Sequence, residues 1–248
     1  MGRRRVLITG GAGLVGSILR SHWGDRYDLI PADVASVGDP AQHEETRCFD
    51  MTSRDNCAAV CAGVDTIVHL AADAGSGDFD DSLLPLNVVG PYNMLEAAAA
   101  AGCRRFVFTS SIYAVRGHGP NPPVTPDRPV RPQGLYGVSK CWGEAITRSY
   151  AERYGFSAIV VRLGNPRFDQ AGPWDADEPS YMLSARDTAQ LFARCVEVDD
   201  LPFAIVHGSS RHRRMWLDIE ATCRILAYEP EDGTAFPQIA AERQEDSQ

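Results

Sequence analysis

The stretch that most constrains this chain lies at its start, "RVLITGGAGLVGSILR", residues 5–20. A short apolar run (5–9) breaks at a glycine cluster, and residues 14–23 then take up helical spacing. Gly10, Gly13 and Gly16 fall in the turn and at the mouth of the helix, with Leu14 and Val15 between the last two. Side chains at the first two glycines would keep a pyrophosphate away from the backbone, and the helix start offers free amides and positive potential. Gly16 lets helix and strand pack closely. A glycine triad alone is a weak signal; a strand before it, a helix after it and an acid further on strengthen it. That acid is Asp33, 17 residues after Gly16 at the end of a second apolar run (27–33). A carboxylate there accepts from both ribose hydroxyls of an adenosine and repels a 2′-phosphate, which favours NAD over NADP. A plain turn residue after Pro31 is the competing reading. Asp50 follows a third run (45–51) and is placed to accept from the adenine amino group, with Met51 against the ring. A turn acid is equally consistent with Asp50.

The alternation continues down the chain. Helical spacing at 53–63, 80–102 and 136–155 separates apolar runs at 65–72, 104–111 and 156–165. Pro85 and Gly90 mark irregular points inside 80–102. This order predicts an α/β, doubly wound Rossmann fold: a seven-stranded, mostly parallel sheet with helices on both faces. The seventh strand is 203–208. After Asn165 the texture turns to Pro, Gly, Asp and Trp, then to an amphipathic 185–198 and a last helix at 217–228. These segments are too small to stand alone, so the chain reads as one domain. Its NAD-binding core covers about 4–165, a small C-terminal substrate cap about 166–230, and a frayed polar tail 234–248. A net charge of −9 argues against nucleic acid as a partner. No run is long enough to span a membrane, and the glycines break any signal-peptide pattern. A cytoplasmic protein is expected. The seven cysteines lack metal-ligand spacing and read as buried thiols, with no metal.

"YGVSK" supplies the chemistry. Residues four apart on a helix sit about 40° apart around its axis, so Tyr136 and Lys140 share a face. A tyrosine is a poor base at neutral pH, its free pKa being about 10, and a nearby ammonium favours the phenolate. Tyr136 would take the proton from a substrate hydroxyl while Lys140 reaches the nicotinamide ribose. The end of the fifth strand, "FTSS", offers Ser110 and Ser111 to hold the substrate oxygen, of which Ser111 is chosen.

"TGGAGLVG", "HLAA", "NVVGPYNMLEAA", "FTSS" and "YGVSK", in that order, resemble the extended short-chain dehydrogenase/reductase superfamily of NAD-dependent sugar epimerases and dehydratases. The resemblance implies that Leu70, Ala71 and Ala72 line the cofactor and that Asn87 lies near it. It implies that Ser111, Tyr136 and Lys140 form the triad and that Asn165 touches substrate. A homodimer through two long helices is also what relatives of this kind use.

"RPQGLYGVSKCWGE" resembles uronate dehydrogenases, which oxidise an anomeric hydroxyl. The substrate positions depart from that group. Ala74 replaces a small polar residue, Ile112 and Tyr113 replace asparagine and histidine, and Asn165 replaces serine. Tyr181 falls where an arginine grips the carboxylate, with Arg167 and Arg186 as substitutes from another direction. An Ile112–Tyr113–Tyr181–Trp216 lining implies a more apolar ligand. The expectation is an NAD-dependent dehydrogenase of a sugar-like alcohol. Two alternatives stand beside it, an epimerase or dehydratase that recycles its hydride, and a redox-sensing protein that only binds NAD.

Overall fold

The computed structural model describes residues 2–34, 46–75, 77–168 and 178–234. Seven strands form one sheet: β1 (Arg5–Thr9), β2 (Asp28–Asp33), β3 (Arg47–Cys48), β4 (Thr66–His69), β5 (Arg105–Ser111), β6 (Ser157–Leu163) and β9 (Phe203–Gly208). Their spatial order is β3-β2-β1-β4-β5-β6-β9, and every pair is parallel, so "mostly parallel" understates the sheet. The third strand is also shorter than the run 45–51 that predicts it. β3 sits at the sheet edge, so Phe49 and Met51 turn inward from irregular backbone rather than from a ladder.

Period-two alternation assigns side chains to the two faces. Val6 and Ile8 of β1 join a cluster with α1 (Leu14–Trp23) and α5 (Ala185–Glu197). Leu7 points the other way, among α2 (Arg54–Cys61), α3 (Gly90–Ala101) and α4 (Gly134–Tyr154). β6 alternates likewise, Ile159 and Val161 to one face and Ala158 and Val160 to the other. A strand apolar on both sides needs helices on both faces. Burying each large aliphatic side chain contributes about 1.5–3 kcal/mol.

The irregularity at Pro85 and Gly90 is a π-helical segment, Phe79–Val89, that runs into α3. Proline lacks the amide and crowds the preceding turn. The ladder widens in response, and the Gly90 amide bonds back to the carbonyl of Pro85. α4 ends at Gly155, whose φ of 75° is the left-handed stop that glycine permits.

Beyond β6, a short parallel pair joins β7 (Asn165–Pro166) to β8 (Met182–Leu183) at the carboxyl edge of the sheet. Ile112, Val115, Val124 and Leu217 form a separate apolar cluster there, with Tyr113, Tyr181 and Trp216 packed on it. The last helix, α6, is Glu220–Leu226, shorter than 217–228. The polar tail beyond residue 234 and the stretch 169–177 lie outside the described residues. Among the described residues, no helix is long and apolar enough to cross a membrane.

Candidate active site

The chain winds from β1 to β2 and β3 on one side, then returns to place β4 on the other side of β1. A crevice opens at such a reversal, outside the carboxyl ends of the strands. Thr9 pairs with His69, His69 with Phe108, and Ser111 with Leu163, so the loops leaving β1, β4, β5 and β6 come up together.

Two cavities fill this crevice and meet at Gly10, Gly13, Leu70 and Ala72. The first, about 400 Å³, is walled by Asp33, Val34, Phe49, Met51 and Ala71. The second, about 430 Å³, is walled by Leu14, Val15, Gly16, Ser111, Tyr136 and Lys140, with Ala74, Ile112, Tyr113, Asn165 and Tyr181 around its far end.

The glycine loop fits a dinucleotide on steric grounds. Gly10 has φ +71°, and a Cβ there would meet the Ala71 amide nitrogen at 2.8 Å. A Cβ at Gly16 would lie 2.5 Å from the carbonyl oxygen of Gly10. α1 begins with no acidic residue in its first turn, so its positive end is uncompensated. Asp33 accepts a hydrogen bond from the Ala12 amide (3.0 Å), which fixes the carboxylate beside the loop. NAD would thus lie with its adenosine half against Asp33 and Met51, its pyrophosphate on the glycine loop, and its nicotinamide half near Lys140.

Two expected cofactor contacts fall elsewhere. The exposed Asp50 is absent from the cavity wall, and its carboxylate accepts from the Thr52 amide and hydroxyl (2.9 and 2.8 Å). The structure therefore gives it the turn role, because β3 ends too early to aim its side chain at the crevice. Phe49 takes the wall position. Asn87 is buried and acts as a brace. It accepts from the Asp73 amide (2.8 Å) and donates to the Asp73 carbonyl (2.9 Å) and to Ser139 Oγ of α4 (3.2 Å). It fixes the loop after β4 without itself lining either cavity.

Lys140 is buried and donates from Nζ to the Thr109 carbonyl (3.0 Å). Burial pulls its pKa down to about 8. The same ammonium lies 5.5 Å from the Tyr136 ring centroid. Tyr136 is held above the usual phenol range by burial, with Tyr113 and Asp73 adding to the effect and a hydrogen bond to Ser111 opposing it. Burial is the largest influence on the phenol, and Ser111 supplies the opposing pull. His69, behind the lysine, is fully buried and held down to about 3 by desolvation and by Lys140, so it is neutral.

The two serines divide their work. Ser110 donates to Glu144 Oε1 (2.6 Å), while Ser111 Oγ accepts from the Tyr113 amide (3.2 Å) and hydrogen-bonds Tyr136. Ser111 is therefore the one placed to serve a substrate oxygen. Glu144 was not legible as a site residue. It pairs with Arg162 through two bonds of 2.9 Å, both side chains buried, and so ties α4 to β6 beneath the triad. Its signal was the i+4 step from Lys140 on the same helix face. Gly137 and Gly143 bring that face close. A Cβ at Gly137 would meet the Tyr113 carbonyl oxygen at 2.5 Å, and one at Gly143 would meet the Phe108 ring at 2.0 Å.

The substrate end holds three surprises. Trp216 is not on the cavity wall; it packs edge-on to Tyr181, centroids 5.6 Å apart. Arg186 is engaged by Asp232 and Glu231 and does not face the site, and Arg167 is exposed. Arg116, unremarked in the sequence, stacks on Tyr113, Tyr181 and Trp216. The aromatic lining thus carries a cation that the sequence expectation of a more apolar ligand left out. Among the described residues no group of three or more metal-ligating side chains gathers.

Known proteins match this arrangement. The sequence profile of the NAD dependent epimerase/dehydratase family matches residues 6–232. The chain is 34% identical to an NAD-dependent glucose-6-phosphate dehydrogenase of Haloferax volcanii, over 93% of this chain and 94% of that protein. It is 30% identical to a uronate dehydrogenase of Pseudomonas putida, over 97% of this chain and 88% of the relative. A crystal structure of an Agrobacterium tumefaciens uronate dehydrogenase variant complexed with NAD superposes with a TM-score of 0.85 at 31% identity, covering 96% of this chain and 89% of that one. Glycine loop, acid, sheet order and profile agree, and the chain belongs to the NAD-dependent epimerase/dehydratase family, with NAD as its cofactor.

Proposed function

We propose that this protein is an NAD-dependent dehydrogenase oxidising a secondary or anomeric hydroxyl of a sugar-like substrate. The observation that carries the reading is the gathering of Ser111, Tyr136 and Lys140 on the wall of one cavity that opens onto the glycine loop. When bound, NAD supplies the hydride acceptor. Ser111 donates a hydrogen bond to the substrate oxygen and holds it beside the phenol. Tyr136, in its phenolate form, accepts the hydroxyl proton as the carbonyl forms, a form that burial disfavours and a neighbouring ammonium favours. Lys140 orients the ribose and places positive charge by the phenolate. The relatives named above are dehydrogenases of sugar derivatives, which supports net oxidation. The second cavity, about 430 Å³ among the described residues, serves nicotinamide and substrate together, which suits a free sugar better than the nucleotide sugar of an epimerase. All seven cysteines are unpaired, which fits a cytoplasmic setting. A homodimer is also part of this reading, since Leu135, Val138 and Trp142 leave an apolar stripe exposed on α4.

The test is NADH formation by purified protein with NAD and a panel of aldoses, uronates, sugar phosphates and polyols. Tyr136→Phe should lower turnover by about 10²–10⁴ while NAD affinity stays nearly unchanged. Turnover that survives in this variant, or no NADH with any member of the panel, would refute the proposal.

A further inference from the structure

The loop that leaves β4 runs Asp73, Ala74, Gly75. Ala74 stands on the wall of the substrate cavity, and Gly75 lies against the Tyr136 ring. A Cβ at Gly75 would come within 3.1 Å of both Cβ and Cγ of Tyr136, and the backbone there has φ +99°, a conformation that favours glycine. Other groups face the same ring. Tyr113, in the turn after β5, meets it edge-on with centroids 5.7 Å apart, and Arg116 stacks behind Tyr113. Lys140 Nζ, from α4, lies 5.5 Å from its centroid, and Ser111, at the end of β5, hydrogen-bonds it. Of these neighbours, the β4 loop alone belongs to neither strand nor helix. Its place against the ring therefore has to be fixed by side chains.

The half-buried Asp73 does that fixing. Its Oδ1 accepts from the Gly75 amide (2.7 Å), which closes the turn carrying Gly75. Its Oδ2 accepts from the Ser82 hydroxyl, and its own amide and carbonyl are both taken by Asn87 (2.8 and 2.9 Å). A Cβ at Gly77 would fall on the carboxylate, so glycine there leaves it room. Ser82 and Asn87 both belong to the π-helical segment Phe79–Val89. Asn87 also donates to Ser139, which donates to the Tyr136 carbonyl (2.8 Å). One segment thus holds Tyr136 twice, by its backbone through Ser139 and by its ring through Asp73 and Gly75. The Asp73 carboxylate is near enough to disfavour a second negative charge on the phenol.

We infer that Asp73 is a positioning residue for the proposed proton transfer: it shapes the loop that seats the Tyr136 ring, and it carries the negative charge beside which the phenolate must form. This deepens and rests on the dehydrogenase reading. Asp73 lines neither cavity and acts through Gly75. Its two effects oppose each other. The hydrogen bonds keep the ring within reach of Ser111, which speeds transfer, while the charge moves transfer to higher pH.

The test uses Asp73→Asn, which keeps an acceptor for Gly75 but removes the charge, and Asp73→Ala, which removes both. Gly75→Ala disturbs the seat without altering the carboxylate. NADH formation is followed against pH, with NAD and the sugar that the wild type oxidises fastest. A second readout needs no turnover: the proteins are grown on fluorotyrosine, and the fluorine resonance that is lost in Tyr136→Phe is titrated. Asp73→Ala and Gly75→Ala should each lower kcat by about 10- to 100-fold, as displacement of a reacting group predicts, with KM for NAD changed less than about threefold. In Asp73→Asn the rise of rate with pH, and the fluorine titration, should both move to lower pH by at least about half a unit. An unmoved profile and titration in Asp73→Asn, or a kcat within about threefold of the wild type in Asp73→Ala, overturns the inference and leaves the dehydrogenase reading standing. If Asp73→Ala does not fold, Asp73→Asn decides alone. If the wild type turns over no sugar, the dehydrogenase reading falls, and the fluorine titration still decides whether Asp73 acts on Tyr136.

Discussion

Replacing Glu144 by glutamine should destabilise this protein far more than the loss of one surface ion pair would. Glu144 and Arg162 are 5% and 2% exposed and share two bonds of 2.9 Å. Glutamine can still accept from Arg162 and from Ser110, but the guanidinium then keeps a full charge with no counter-charge in a dry interior. Removing one partner of a buried pair typically costs about 3–5 kcal/mol. At about 2–4 °C per kcal/mol for a chain of this size, the melting temperature should fall by roughly 6–20 °C. The site should suffer with the fold. α4 carries Tyr136 and Lys140, and Ser110, which holds Glu144 from β5, is the neighbour of Ser111. Thermal melts by circular dichroism, with and without saturating NAD, would measure the effect. The paired replacement Glu144→Met with Arg162→Leu separates charge from packing. It should recover most of the stability, because apolar residues of similar volume need no counter-charge. A loss below about 1 kcal/mol for Glu144→Gln, or a paired variant no better than the single one, would refute the argument that an unpaired buried charge is the cause.

Two further outcomes follow from the cofactor side. Gly16→Ala would set a Cβ 2.5 Å from the Gly10 carbonyl oxygen and 2.7 Å from Gly11, backbone that cannot rotate away, so NAD affinity should drop by at least tenfold in a fluorescence titration. With its pKa lowered to about 8, Lys140 loses its proton as pH rises through that value in the NAD-free protein. Bound NAD, anionic and rich in acceptors, favours the protonated form and raises that pKa. Binding should then take up protons and weaken above about pH 8, as calorimetry in buffers of different ionisation enthalpy would show, and Lys140→Gln should abolish the dependence.

The order of elements was readable because a parallel sheet with helices on both faces leaves a plain trace: apolar runs five to ten residues long, separated by helical spacing and glycine stops. The glycine loop, Asp33 and the pair Tyr136–Lys140 were readable for a related reason, since each depends on spacing along one or two adjacent elements. Asp50 was readable only as one of two things, and the early end of β3 decided for the turn. Asn87 was expected beside the cofactor, yet it acts across the chain, bonding Asp73 and Ser139.

What the sequence determined by itself was local: a dinucleotide loop, and a tyrosine with a lysine one helical turn away, the pair on which the proposed proton transfer rests. What only the tertiary structure decided was the surroundings of that chemistry. The partner of Glu144, the burial that lifts the Tyr136 phenol, and the packing of Arg116 against Tyr113, Tyr181 and Trp216 all join residues from different elements. Tyr113 and Trp216 are about a hundred residues apart, and local spacing carries no information about a contact that long-range packing creates. The far wall of the second cavity is built by that kind of contact, while the glycine loop and the Tyr136–Lys140 pair are built by the local kind.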